Sequence, residues 1–231
     1  LRLLLINFLA FTFNGFSQMP GDNDMTFNPG DQGYGNGDGF NDAVYRAVIQ
    51  SDGKIVVGGH FTTYNGVSSN HIIRLNSDGT RDTTFHIGTG ADNDVLAVSI
   101  QPDGKIIIAG YFLNYNGTSV GRIARLNPNG SIDPTFNSMG GASDIIRSSL
   151  IQPDGKIIVA GDFTFIAGTA INRIARLNTN GSIDNTFNPW SGANNTVYTI
   201  ALQPDGKIFA GGQFSIFNGS GVNGIVRLNT N

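Results

Sequence analysis

Three histidines, His60, His71 and His86, fall close together in the chain, and imidazoles in such a group can ligate a metal or relay protons. The H-E-x-x-H frame of a zinc protease is missing, and His60 gives way to Tyr111, Asp162 and Gln213 at equivalent positions farther along. Solvated or capping roles are therefore expected for all three. There is no cysteine, which excludes thiol catalysis, disulfides and cysteine-based zinc sites, and no nucleophile elbow supports a hydrolase triad. A Gly/Asp-rich stretch from Asp31 to Asp42 contains Asn36-Gly37-Asp38-Gly39. It fails the calcium-loop frame, because Tyr34 holds the first ligand position and no acid stands at the twelfth. A solvent loop is expected there, with no metal and no cofactor.

A second polar set recurs: Asn41 and Asp42, Asp92 and Asn93, Ser143 and Asp144, Asn194 and Asn195. A ring of Asn and Asp can bind a sugar, a cation or a peptide, but the same side chains cap turns, and capping is the reading that their chemistry favours. Arg46 and Arg147, slightly farther along, are the second choice for a binding surface. Trp190, the single tryptophan, follows Asn188-Pro189. Exposed, it would stack on carbohydrate; packing between neighbouring units is the expectation.

The elements that position these residues are repeats. Gln-Pro-Asp-Gly-Lys begins at Gln101, Gln152 and Gln203, 51 residues apart, with Gln-Ser-Asp-Gly-Lys at Gln50. Arg-Leu-Asn keeps the same spacing at Arg74, Arg125, Arg176 and Arg227. In one repeat, Val95 to Gln101 and Lys105 to Phe112 read as a hairpin around Pro102-Asp103-Gly104, with Pro presetting φ and Gly taking the left-handed position. Arg122 to Asn127 and Ser131 to Asn137 read as a second hairpin around Pro128-Asn129-Gly130. Four antiparallel strands at this period, without a 3.6-residue pattern, predict an all-β propeller of about four blades. The blades are expected near residues 41–87, 92–138, 143–189 and 194–229, with an isolated strand at 24–28.

Within a blade the second strand should be apolar on both faces, as Ile106-Ile107-Ile108 is, with Phe61, Phe112, Phe163 and Phe214 closing it. Turn geometry places Arg125 across from Asp133, Arg74 from Asp82 and Arg176 from Asp184, as exposed register-setting ion pairs. By the same logic Asp24 would meet Arg227 if the ring closed, but a piece of a larger propeller from a longer parent chain is the favoured expectation.

Charged residues make up 13% of the chain and the formal charge is −3, so the basic footprint of a nucleic-acid binder is missing. Arg2, the apolar run Leu3 to Phe13 and the small residues Gly15 and Ser17 read as a secretory signal peptide over residues 1–17. That run is too short to span a membrane.

The strings Gln152-Pro153-Asp154-Gly155-Lys156-Ile157-Ile158-Val159-Ala160-Gly161-Asp162-Phe163, Arg173-Ile174-Ala175-Arg176-Leu177-Asn178 and Asp184-Asn185-Thr186-Phe187 resemble the bacterial delta-60 repeat, a β-propeller repeat family. The resemblance covers roughly Asp24 to Asn231. It implies an exported or cell-surface bacterial protein and carries no catalytic residues with it.

Two classes of function follow. The first is a non-enzymatic secreted or cell-surface propeller that binds a protein or glycan, with open blade edges available for self-association. The alternative is a glycan-active hydrolase or lyase built on one propeller face, or a metal-stabilised propeller. The enzyme would need an asymmetric pair of carboxylates or a His with an acid, for which His60, His71 and Asp38 are the raw material.

Overall fold

The computed structural model describes residues 20, 22–28 and 38–230. The expected signal peptide and most of the Gly/Asp-rich stretch lie outside the described residues. The chain is all-β, and one pattern of five strands is laid down four times. Blade 1 contains β1 (Val44–Ile49), β2 (Ile55–Gly59), β3 (Thr63–Tyr64), β4 (Val67–Ser68) and β5 (Ile72–Leu75). Blade 2 contains β6 (Val95–Ile100), β7 (Ile106–Gly110), β8 (Asn114–Tyr115), β9 (Thr118–Ser119) and β10 (Ile123–Leu126). Blade 3 follows with β11 (Ile146–Ile151), β12 (Ile157–Gly161), β13 (Phe165–Ile166), β14 (Thr169–Ala170) and β15 (Ile174–Leu177). Blade 4 has β16 (Val197–Leu202), β17 (Ile208–Gly212), β18 (Ile216–Phe217), β19 (Ser220–Gly221) and β20 (Ile225–Leu228).

Each blade is an antiparallel sheet in the order first, second and fifth strand, with a two-stranded hairpin set between the last two. The turn after the first strand is the expected one. Gln101 N–H donates to Lys105 O and Gly104, at φ +81°, donates to Gln101 O. The intervening hairpins were not expected. Asn65-Gly66 and Asn116-Gly117 both have positive φ and make the two-residue turn that Asn-Gly favours. The segment read as a fourth strand is short: it meets its neighbour through single bridges such as Leu126↔Ile132 and then turns at Asp133.

Alternation along the second strand seals one blade to the next. In β7, Ile106 and Ile108 pack with Phe112 against Val56 and Ile72 of blade 1. Ile107 and Ala109 point the other way and pack against Ile146, Ile157 and Val159 of blade 3. Ile158 and Ala160 continue the pattern toward Val197 and Ile208 of blade 4. Successive residues of a strand face opposite sides, so a run of isoleucines is what a strand covered on both faces requires. Burying Phe112 completely contributes about 2–3 kcal/mol relative to leaving it exposed.

Blades 1 and 4 are not sealed against each other. Ile49 on β1 and Ile225 on β20 are 72% and 63% exposed. The pair of Asp24 and Arg227 that closure would bring is not made. Asp24 accepts hydrogen bonds from Thr26 instead, while Asn28 N–H donates to Asp78 O on the outer turn of blade 1. His86 N–H bonds Asn129 O of blade 2 in the same way. The 24–28 segment therefore lies on blade 1 as the end of each blade lies on the blade that follows it.

Candidate functional site

The arginine, lysine and aspartate that recur in blades 1, 2 and 3 are spent on the fold. Asp82 Oδ2 accepts from Arg74 Nε at 2.7 Å and Lys54 Nζ at 2.8 Å, while Oδ1 accepts from Thr84 N and Oγ1. Asp133 repeats this with Arg125, Lys105 and Thr135, and Asp184 with Arg176, Lys156 and Thr186. The Arg–Asp pairs are where the turn arithmetic puts them, but they are buried rather than exposed: Arg125 and Asp133 are 6% and 4% accessible. Each arginine is covered by the phenylalanine that follows its aspartate, Arg74 over Phe85 at 4.7 Å. Its Nη1 then crosses to the next blade, bonding Pro128 O from Arg74 and Thr230 O from Arg176. Burial alone would raise the Asp82, Asp133 and Asp184 carboxyls, yet the hydrogen bonds and cations outweigh it and hold all three well below the usual carboxylate range.

The Asn/Asp pairs are likewise occupied. Asn41 Oδ1 accepts from Thr62 N and Thr63 N, Asp92 Oδ1 from Leu113 N and Asn114 N, and Asn194 Oδ1 from Ser215 N and Ile216 N. Ser143 Oγ does the same in blade 3. Asp42, Asn93, Asp144 and Asn195 each accept from the next residue's N–H. These side chains anchor the small hairpins and cap turns, the role that their chemistry favours.

A different set remains, found where the repeats disagree. In every blade the register between first and second strand slips at one place: between Val44 and Arg46, Val95 and Ala97, Ile146 and Ser148, and Val197 and Thr199. The residue left out of the ladder is Tyr45, Leu96, Arg147 or Tyr198. A bulge frees its extra residue from pairing and re-aims the side chain. The backbone fixes two more divergent positions beside it. His60, Tyr111, Asp162 and Gln213 donate their N–H groups to the carbonyls of Ala43, Asp94, Ile145 and Thr196. Gly110 is glycine because the two strands close in here: a Cβ on it would lie 2.1 Å from Asp94 O.

Around these bulges the divergent side chains meet one another. Arg147 grips Asp162, with Nε 3.0 Å from both carboxylate oxygens and Nη2 2.6 Å from Oδ2. Its guanidinium lies 5.3 Å from the Tyr198 ring, and Tyr198 Oη donates to Gln213 Oε1 at 2.9 Å. The Asp162 hydrogen bond raises Arg147, with burial opposing. Burial would raise Asp162, but Arg147 and Thr196 bring it below its usual value. In blades 1 and 2, His60 Nδ1 lies 2.5 Å from Asp94 Oδ1, with His71 Nδ1 at 3.7 Å from the same oxygen and Asp42 Oδ2 4.0 Å from His60 Nε2. The Asp94 hydrogen bond raises His60 above the ordinary histidine range.

Tyr45, Asn93, Asp94, Leu96, Tyr111 and Arg147 line a hollow of about 500 Å³ spanning blades 1, 2 and 3. Of the binding residues expected from sequence, Asn93 and Arg147 reach it. Arg46 does not line it, since it sits one place beyond the bulge and pairs with Gly58. His60 and His71 come together, whereas His86 is engaged at the outer turn of blade 2 through its backbone. Tyr45, Asp94, Tyr111, Asp162 and Tyr198 were missed. Their signal was divergence against a background of strict repetition. Trp190, expected to pack, is 79% exposed with φ +50°. Among the described residues no group of three or more His, Asp or Glu is arranged to hold a metal ion, and no helix is long and apolar enough to cross a membrane.

Solved structures with similar folds include the WD40 β-propeller domain of Doa1, with TM-score 0.53 and 18% identity over 81% of this chain and 51% of that one. Others are the Neurospora crassa Pan2 WD40 domain (TM-score 0.44, 13% identity, 73% of this chain and 42% of that one) and YCF48 bound to D1 peptide (TM-score 0.43, 13% identity, 74% and 47%). The chain thus spans about half the length of the Doa1 domain, and that likeness shows the fold alone. No curated protein matches the sequence. Residues 50–85, 101–136, 152–187 and 203–231 match the family described as "Domain of unknown function (DUF5122) beta-propeller". The chain belongs to that β-propeller family.

Proposed function

We propose that this chain is an exported, non-enzymatic propeller module that binds its ligand at the hollow between the first three blades. One observation carries the reading: side chains that differ between repeats meet at the bulges of the inner strands, while the recurring Arg–Asp–Lys clasps of blades 1 to 3 are held by one another. Mutual support among identical motifs explains the scaffold, and function on a repeat scaffold belongs where the symmetry is broken. Export is supported by Arg2, the apolar run Leu3 to Phe13 and the small residues after it, and by the resemblance to the delta-60 repeat. The test is a binding screen of the whole chain against soluble oligosaccharides and peptides, repeated with Tyr111→Ala and Arg147→Ala. Loss of the same interaction in both variants, with unchanged melting, supports the reading; binding that ignores both variants contradicts it.

A second reading, a glycan-active hydrolase or lyase, is favoured by the pairing of His60 with Asp94. An imidazole oriented by a carboxylate on one nitrogen and half exposed on the other has the form of a general base. Release of reducing ends from a polysaccharide, abolished by His60→Ala, would establish it.

A further inference from the structure

We infer that the ligand of this hollow is a neutral saccharide, held by tyrosine faces and by charged groups already paired with one another. The inference rests on the binding-module reading and adds its chemical class.

Charge balance is the first argument. The cation Arg147 is met by Asp162 through both its Nε and Nη2, and His60 is met by Asp94. With Asp42 standing 4.0 Å from His60, the surroundings are balanced to slightly acidic. A carboxylate or phosphate ligand on the donors that Arg147 has left would stand beside the Asp162 carboxylate, and repulsion between the two anions opposes its binding. A ligand without net charge keeps both pairs and still finds the remaining donors and acceptors.

Hydrogen-bonding inventory is the second. A guanidinium gives only donors and carboxylates only acceptors, while the Asn93 amide and the tyrosine hydroxyls supply both. That mixture matches a ligand whose every polar group is a hydroxyl, itself both donor and acceptor. The ring faces complete the match, because Tyr45 is 48% exposed and Tyr111 37% exposed at the hollow, and the C–H face of a pyranose stacks on such rings. Leu96 is the one aliphatic side chain of the lining, so there is no apolar pocket to anchor the side chain of a peptide. The volume, about 500 Å³, falls in the range of about 300–1,000 Å³ typical of small-ligand sites.

The test is calorimetric titration of the full chain with neutral hexasaccharides of glucose, xylose and mannose, with trigalacturonate, and with a trilysine peptide. At least one neutral hexasaccharide is expected to bind. Tyr45→Ala and Tyr111→Ala should each weaken it at least about tenfold, with Tyr45→Leu and Tyr111→Leu, which keep bulk but remove the ring face, used should either fail to fold. Asp162→Asn, which releases Arg147 from its partner, should gain affinity for trigalacturonate. Preference of the wild-type chain for trigalacturonate or trilysine, lost in Tyr111→Ala, would overturn the neutral-saccharide assignment while leaving the module reading intact. Failure of every probe to depend on Tyr45, Tyr111 or Arg147 would overturn both.

Discussion

Lys105 Nζ and Asp133 Oδ2 lie 2.9 Å apart, joining the first turn of blade 2 to its last segment, and the same oxygen is held by Arg125 Nε at 2.8 Å. Three repeated words, Gln-Pro/Ser-Asp-Gly-Lys, Arg-Leu-Asn and Asp-x-Thr-Phe, thus supply one clasp in each of blades 1, 2 and 3. Removing one partner of a buried pair leaves the other charge uncompensated, which costs about 3–5 kcal/mol. Asp133→Ala should therefore destabilise the chain by about that amount in urea denaturation, and Lys105→Met, at a partly exposed lysine, by about 1 kcal/mol.

The clasps also set the response to acid. Asp82, Asp133 and Asp184 have folded values depressed below the unfolded carboxyl value of about 3.9, so their contribution is complete above that pH and is lost as the pH falls toward the folded values. The urea midpoint should hold level from neutral pH down to about 5 and fall steeply below about 4. The slope should be shallower in Asp82→Asn/Asp133→Asn/Asp184→Asn, and a wild-type midpoint that stays flat through that window would show that the clasps are not linked to protonation.

His60 runs in the opposite direction. Its folded value is raised, so the pairing with Asp94 is present in full below the ordinary histidine value of about 6.5 and is lost as the pH rises through the raised value. Proton NMR titration should find His60 titrating above an unperturbed histidine in the wild-type chain and returning to the ordinary range in Asp94→Asn.

Gly110 and Gly161 permit the bulges. A Cβ on Gly161 would lie 2.0 Å from Ile145 O, a backbone atom that cannot swing aside. Gly161→Ala should cost about 2 kcal/mol or more and displace Arg147, observed together as a lowered melting temperature and weakened ligand binding.

Trp190 is exposed at φ +50° where blade 1 has Gly88 at φ +60°. Its emission should be that of a solvent-exposed indole and should be quenched readily by iodide. Trp190→Gly should leave stability unchanged or raise it by up to about 1 kcal/mol, because a left-handed backbone penalises any residue with a Cβ.

Much of the architecture was legible because it is periodic. The isoleucine run in β7, the Pro-Asp-Gly turn and the Arg125–Asp133 register each follow from local geometry applied to one repeat. The Asn116-Gly117 hairpin is written in the sequence as plainly, between two stronger signals. The burial of the Arg–Asp pair was not legible, since it depends on Phe136 and the next blade's turn closing over the guanidinium. The candidate site was harder still. Arg147 is legible as a candidate for a binding surface, but that its neighbours are Asp162, Tyr198 and Tyr111 depends on a one-residue slip in the ladder. No periodicity announces that slip.

The fold follows from what the blades share, and the proposed function from where they differ. The most direct test is titration of the best-binding neutral hexasaccharide into a chain carrying Arg147→Tyr and Asp162→His, which gives blade 3 the residues that blade 1 has at those positions. The account predicts a chain that folds with its urea midpoint nearly unchanged and no longer binds. Undiminished saccharide affinity in that variant would contradict it.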